Sequence, residues 1–94
     1  MLSQLPINLE KVDKKDIDME ILRAGIIAEL DAINLYTQMA ALAQDGNIKE
    51  ILLDIAKEEK THVGEFQTLL LNRDKEQKEE MEAGREEVKE EVGE

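Results

Sequence analysis

From Ile17 to Ala43, and again from Ile48 to about Leu71, apolar residues return every three or four positions, the spacing of one face of an α-helix. With each residue turning the chain by roughly 100°, Ile48, Leu52, Ile55, Val63, Phe66 and Leu70 fall within roughly 40° of Glu59. Ile51, His62 and Leu69 flank the same stripe, while Glu50, Asp54, Lys57, Lys60 and Thr61 point the other way. On the first helix, Leu22, Ile33, Tyr36, Ala40 and Ala43 lie within roughly 40° of Glu29. Each predicted helix therefore carries a glutamate in the middle of its apolar face.

The ends of these segments are marked as well. Asp13 or Asp16 is placed to cap a helix that begins near Ile17. Asp45-Gly46-Asn47 is a turn signal, and Asn47 with Glu50 three residues on has the form of a capping box. A short turn between two long helices predicts an antiparallel helical hairpin over residues 13–72. Residues 1–12, which contain Pro6, show no period and are expected to form an extended arm. Residues 73–94 are an acidic tail or a short third helix: Met81, Val88 and Val92 make one thin stripe, interrupted by Gly84 and too weak to hold a helix alone in water. The expected fold class is all-α, a single domain spanning 1–94.

Composition agrees. The chain has 94 residues with one Tyr, one Phe, one Pro and no Cys, so breakers are rare, and disulfides, zinc–thiolate sites and thiol catalysis are excluded. The net charge of −11 disfavours nucleic acid and anionic membranes, and favours cations. No stretch approaches the ~20 apolar residues that span a bilayer. The N-terminus lacks a basic start followed by an apolar block, so no secretory leader is expected and the expected location is cytoplasmic.

The two central glutamates carry the chemistry. A lone carboxylate on an apolar face costs several kcal/mol or is forced to protonate, and a bound cation is the simplest way to keep two of them charged. Glu29 lies about fifteen residues before the turn and Glu59 about twelve after it, an offset of only a few Å at ~1.5 Å per residue. His62 follows Glu59 in a Glu-x-x-His spacing, which puts carboxylate and imidazole on neighbouring positions of one face. That motif alone is a weak signal in a glutamate-rich chain; the position of Glu29 gives it weight. Glu29, Glu59 and His62 are the expected metal ligands and catalytic residues.

One chain supplies one helix with a lone Glu and one with Glu-x-x-His, half of what a di-metal carboxylate bundle uses. The expected assembly is a two-fold homodimer that completes a four-helix bundle with metal at the interface. Ile27, Leu30, Leu35 and Leu42 lie off the Glu29 stripe, more apolar surface than a hairpin buries alone. Tyr36, two turns beyond Glu29, is placed either to hydrogen-bond a ligating carboxylate or to serve as a core aromatic. Asp31 and Glu58 point away from the stripe centre and read as solvated, with a weaker role as ligands that guide incoming metal. Glu65 reads as surface, and the four methionines as core or tail.

At these residues the chain resembles the encapsulated ferritins, short ferritin-like cargo proteins of encapsulin compartments. Ala28-Glu29-Leu30-Asp31-Ala32-Ile33-Asn34-Leu35-Tyr36 looks like the family's first-helix motif, and Glu58-Glu59-Lys60-Thr61-His62 like its second. The likeness covers roughly residues 17–71. It implies a di-iron ferroxidase centre between two chains, two iron ions per subunit pair, with Glu29, Glu59 and His62 as ligands and Tyr36 nearby. It also implies dimers assembled into a ring, a decamer, inside an encapsulin nanocompartment whose shell stores the mineral. Such cargo usually ends in a short apolar, glycine-containing peptide. The last residues here, Val88-Lys-Glu-Glu-Val-Gly-Glu, lack that pattern, as expected where such a peptide is missing or the domain is fused to a shell protein.

Two rival functions use the same residues: a rubrerythrin-like peroxidase, for which the chain lacks rubredoxin-type cysteines, and a non-catalytic metal-binding helical oligomer. Mn and Zn suit these ligands as well as iron does, and the sequence leaves the metal, the ring size and the oxidant open.

Overall fold

The structure is a computed structural model and describes residues 8–94. After a short 3₁₀ turn at Leu9–Lys11 come three helices: α1 (Ile17–Leu42), α2 (Gly46–Arg73) and α3 (Lys75–Val92). No strand occurs among the described residues. α1 and α2 pack along each other as the expected hairpin, while α3 touches α2 only near their junction. The expected arm lies largely outside the described residues. Its described part is a turn, not an extended segment, because the Asn8 carbonyl and side chain accept from the Lys11 and Glu10 amides.

Asp16 sits at the N-cap of α1 but makes no capping hydrogen bond with its side chain. At α2 the expected Asn47–Glu50 capping box is not formed. Asp45 is the cap: its backbone is extended, and its Oδ1 accepts from the amides of Asn47 at 2.8 Å and Ile48 at 3.1 Å. The helix therefore begins at Gly46, with Asn47 already inside it. Of two cap-forming residues two positions apart, the first takes the role because its acceptor reaches two otherwise unpaired amides.

The acidic tail is the short helix, unbroken through Gly84. Asp74 starts it by accepting from the Gln77 amide at 3.0 Å. Lys75 and Glu79, spaced four apart, and Arg85 with Glu82 support its surface. Gly93 closes it in the left-handed conformation at φ 78°, which a glycine adopts without strain.

The core is thin. Among the described residues only Leu22, Ala40, Ala56 and Leu70 are buried apolar residues, two on each helix of the hairpin. The accessible surface is 7607 Å², against about 5,500 Å² for a compact monomer of this mass. The Cα radius of gyration is 16.6 Å, where a compact chain of this length has about 12 Å. Ile21, Leu30, Met39, Leu42, Ile51 and Leu69 all remain more than two-fifths exposed. A hairpin gives each helix one neighbour, so the other apolar sides stay uncovered in the single chain. No described helix is long and apolar enough to cross a membrane.

Candidate metal centre

Glu59 and His62 stand one turn apart on α2, and Glu29 faces them from α1. The hairpin brings the three to one level, as the short turn between helices requires. His62 Nδ1 lies 3.2 Å from Glu59 Oε2 and 3.3 Å from Glu29 Oε2. One ligand atom from each residue falls within 4.8 Å of the others. The carboxylates are 19% and 18% exposed and the imidazole 43%, so the group is sheltered by the hairpin and open on the histidine side.

One ring nitrogen facing two carboxylates is an unbalanced arrangement. A single Nδ1 proton satisfies one of them well, and the other is left close to a second negative charge. A divalent cation at the same point accepts all three lone pairs at once and offsets the paired charge. Two oxygen donors and one imidazole form a set that suits iron, manganese or zinc.

The open side is a hollow of ≈ 310 Å³ lined by Glu29, His62, Glu65, Phe66 and Leu69. Glu65 is exposed as expected, yet it stands at the rim of this hollow and not on a remote surface. Phe66 and Leu69 were legible only as members of the apolar stripe. Their spacing of four and seven residues from His62 is the signal that they share its flank.

Asp31 departs from the expectation. It is half-buried, engaged with a partner, and stands outside the Glu29–Glu59–His62 group. Glu58 is exposed. Tyr36 is half-buried two turns along α1, and the hydrogen bonds of the two carboxylates go to His62, not to its hydroxyl. Within one chain Tyr36 is thus a packed aromatic.

Around the site the apolar surface is symmetric. At roughly 100° per residue, Ile21 and Met39 share one flank of α1, and Ile51 and Leu69 share the His62 flank of α2. In an antiparallel pair these flanks lie on the same side, with Ile21 and Leu69 at one end of the site and Met39 and Ile51 at the other. All four are 41% to 60% exposed.

The family described as EncFtn-like matches residues 4–84. The chain belongs to the encapsulated ferritins. It is 60% identical over 99% of its length to a ferritin-like–encapsulin shell fusion protein of Pyrococcus furiosus, and it spans 28% of that relative. The crystal structure of an encapsulated ferritin domain from Pyrococcus furiosus superposes with a TM-score of 0.84 at 59% identity, covering 99% of this chain and 97% of that one. The encapsulated-ferritin family, the all-α fold and the Glu–Glu–His group thus coincide in one chain.

Proposed function

We propose that two copies of this encapsulated ferritin pair through the His62 face, and that the joined half-sites oxidise Fe(II) to Fe(III). The observation that carries the reading is the convergence of Glu29, Glu59 and His62 on one half-open point, framed by exposed apolar residues. A two-fold axis through this face sets each half-site against its twin and covers Ile21, Met39, Ile51 and Leu69.

Iron is the substrate here. Each Fe(II) gives up one electron, and two ions side by side pass two electrons to one O₂, which takes up two protons and leaves as hydrogen peroxide. Glu29, Glu59 and His62 hold the ions, and the carboxylates favour the Fe(III) product because hard oxygen donors bind it more strongly. Tyr36 of each copy serves the ligands of the joined site. Asp31, already engaged, has at most a steering effect on incoming cations through its charge. The named relative is a fusion with an encapsulin shell. By extension this domain works against the inner side of such a shell, in the cytoplasm, with its dimers gathered into a ring, and the shell retains the mineral.

Stopped-flow Fe(II) oxidation in air tests the reading. Glu29→Ala and His62→Ala each lose the fast phase; fast oxidation that survives in both variants overturns it.

A further inference from the structure

The Phe66 ring that walls the hollow rests on a glycine. Gly25 lies one turn before Glu29 on α1, and Phe66 lies one turn after His62 on α2. A Cβ placed on Gly25 would meet the ring at 3.1 Å from Cε2 and 3.2 Å from both Cδ2 and Cε1. Among the other described helical glycines, Gly46, Gly64 and Gly84 have nothing within 4 Å of the same point. Of the described helical glycines, only Gly25 has a neighbour crowding the place of a β-carbon.

We propose that Gly25 is a positioning residue of the metal site: by carrying no side chain it lets the Phe66 ring lie against α1, and so keeps that ring out of the hollow that Glu29 and His62 face. The proposal rests on the Glu29–Glu59–His62 reading above and deepens it. The ring lies beside α1 at Gly25 and also lines the hollow. A methyl at position 25 forces it to give by a few tenths of an ångström. Because the ring shares the wall of the hollow with Glu29 and His62, its shift alters the space beside them. Phe66 is not a ligand, but it packs beside them, and a ligand set holds its metal distances to about 0.2 Å, so crowding of that size at its wall is expected to be felt.

Two effects of Gly25→Ala then run in opposite directions. Alanine is the better helix residue, by about 1 kcal/mol, which offsets the cost of moving the ring, so the metal-free chain is expected to keep its stability. Metal affinity falls because the wall beside the ligands has moved. A change acting only on the fold alters both in the same sense.

The test uses the full chain and Co(II), which stays divalent in air. Thermal midpoints are measured in chelator, and Co(II) dissociation constants by titration, for wild type, Gly25→Ala, Phe66→Leu and the double variant. Gly25→Ala is expected to hold or raise the chelated midpoint and weaken Co(II) binding about tenfold, the low end of losing a ligand's support. Phe66→Leu added to it, which removes the clashing ring, is expected to restore most of that affinity. Wild-type affinity in Gly25→Ala overturns the proposal. So does a loss that Phe66→Leu leaves unrepaired, or one that tracks a fallen midpoint. Glu29→Ala is run alongside: Co(II) binding unchanged in that variant overturns the site itself, whereas its loss together with wild-type affinity in Gly25→Ala overturns only the role of Gly25.

Discussion

The Arg23 guanidinium donates to Asp74 Oδ2 at 2.8 Å, tying the early part of α1 to the single residue that separates α2 from α3. Asp74 serves all three helices. Its amide donates to the Leu70 carbonyl and closes α2, its Oδ1 accepts from the Gln77 amide and starts α3, and its Oδ2 holds Arg23. The direction in which α3 leaves the hairpin is set at this point.

The Gln77 amide first, and Arg23 second, hold the Asp74 carboxyl below its ordinary value of 3.8. A lowered folded-state value means the unfolded chain binds the proton more readily, so the stabilisation is full above the ordinary carboxylate range. It disappears as pH falls through the lower value of the folded state. Hydrogen exchange across residues 75–92 should therefore be steady from neutral pH to about 4 once intrinsic rates are corrected, then rise below the ordinary carboxylate range. Asp74→Asn, which keeps a capping oxygen but loses the charge, should remove most of this acid dependence and leave α3 formed at neutral pH. Asp74→Ala should fray the start of α3 at any pH. An acid response preserved in Asp74→Asn assigns it to other carboxylates, such as Glu82 beside Arg85.

Glu29 and Glu59 face one another across the hairpin with ligand atoms within 4.8 Å, and without a cation they repel. Glu29→Gln removes one of the two charges. Two unit charges at that separation cost about 1 kcal/mol in water and more in a sheltered site. The metal-free variant should melt a few degrees above the metal-free wild type, yet gain nothing when Co(II) or Zn(II) is added. Differential scanning calorimetry with and without chelator measures both. A variant that melts lower when metal-free shows that the carboxylate is held by contacts other than a cation.

Leu69 is 43% exposed on the His62 side and lines the hollow. A charge placed there is buried against the second copy in the proposed pairing. Leu69→Glu should lower the mass seen by sedimentation to that of the single chain and abolish fast iron oxidation, while far-UV circular dichroism still reports helix. Normal assembly in this variant moves the pairing surface elsewhere.

The backbone geometry of a helix is the same in every sequence, and for that reason Glu29 and Glu59 were legible as acids inside apolar faces. The spacing of Glu59 and His62, the hairpin and the common level of the site needed only helix pitch and a short turn. The capping of α2 was not legible, because Asp45 and Asn47 are both able to cap and the choice depends on which backbone is extended. The helix angle of Asp31 reads as solvated, but angle alone does not tell whether a side chain finds a partner, and Asp31 has one.

The sequence by itself determined which residue types lie on which face, because that follows from a fixed rotation per residue. Tertiary structure alone decided how near those faces come: His62 Nδ1 to Glu29 across thirty-three positions, Phe66 against Gly25, and Arg23 to Asp74. These distances depend on helix separation and rotation, which no single residue specifies and which result from the packing of all the residues between the helices.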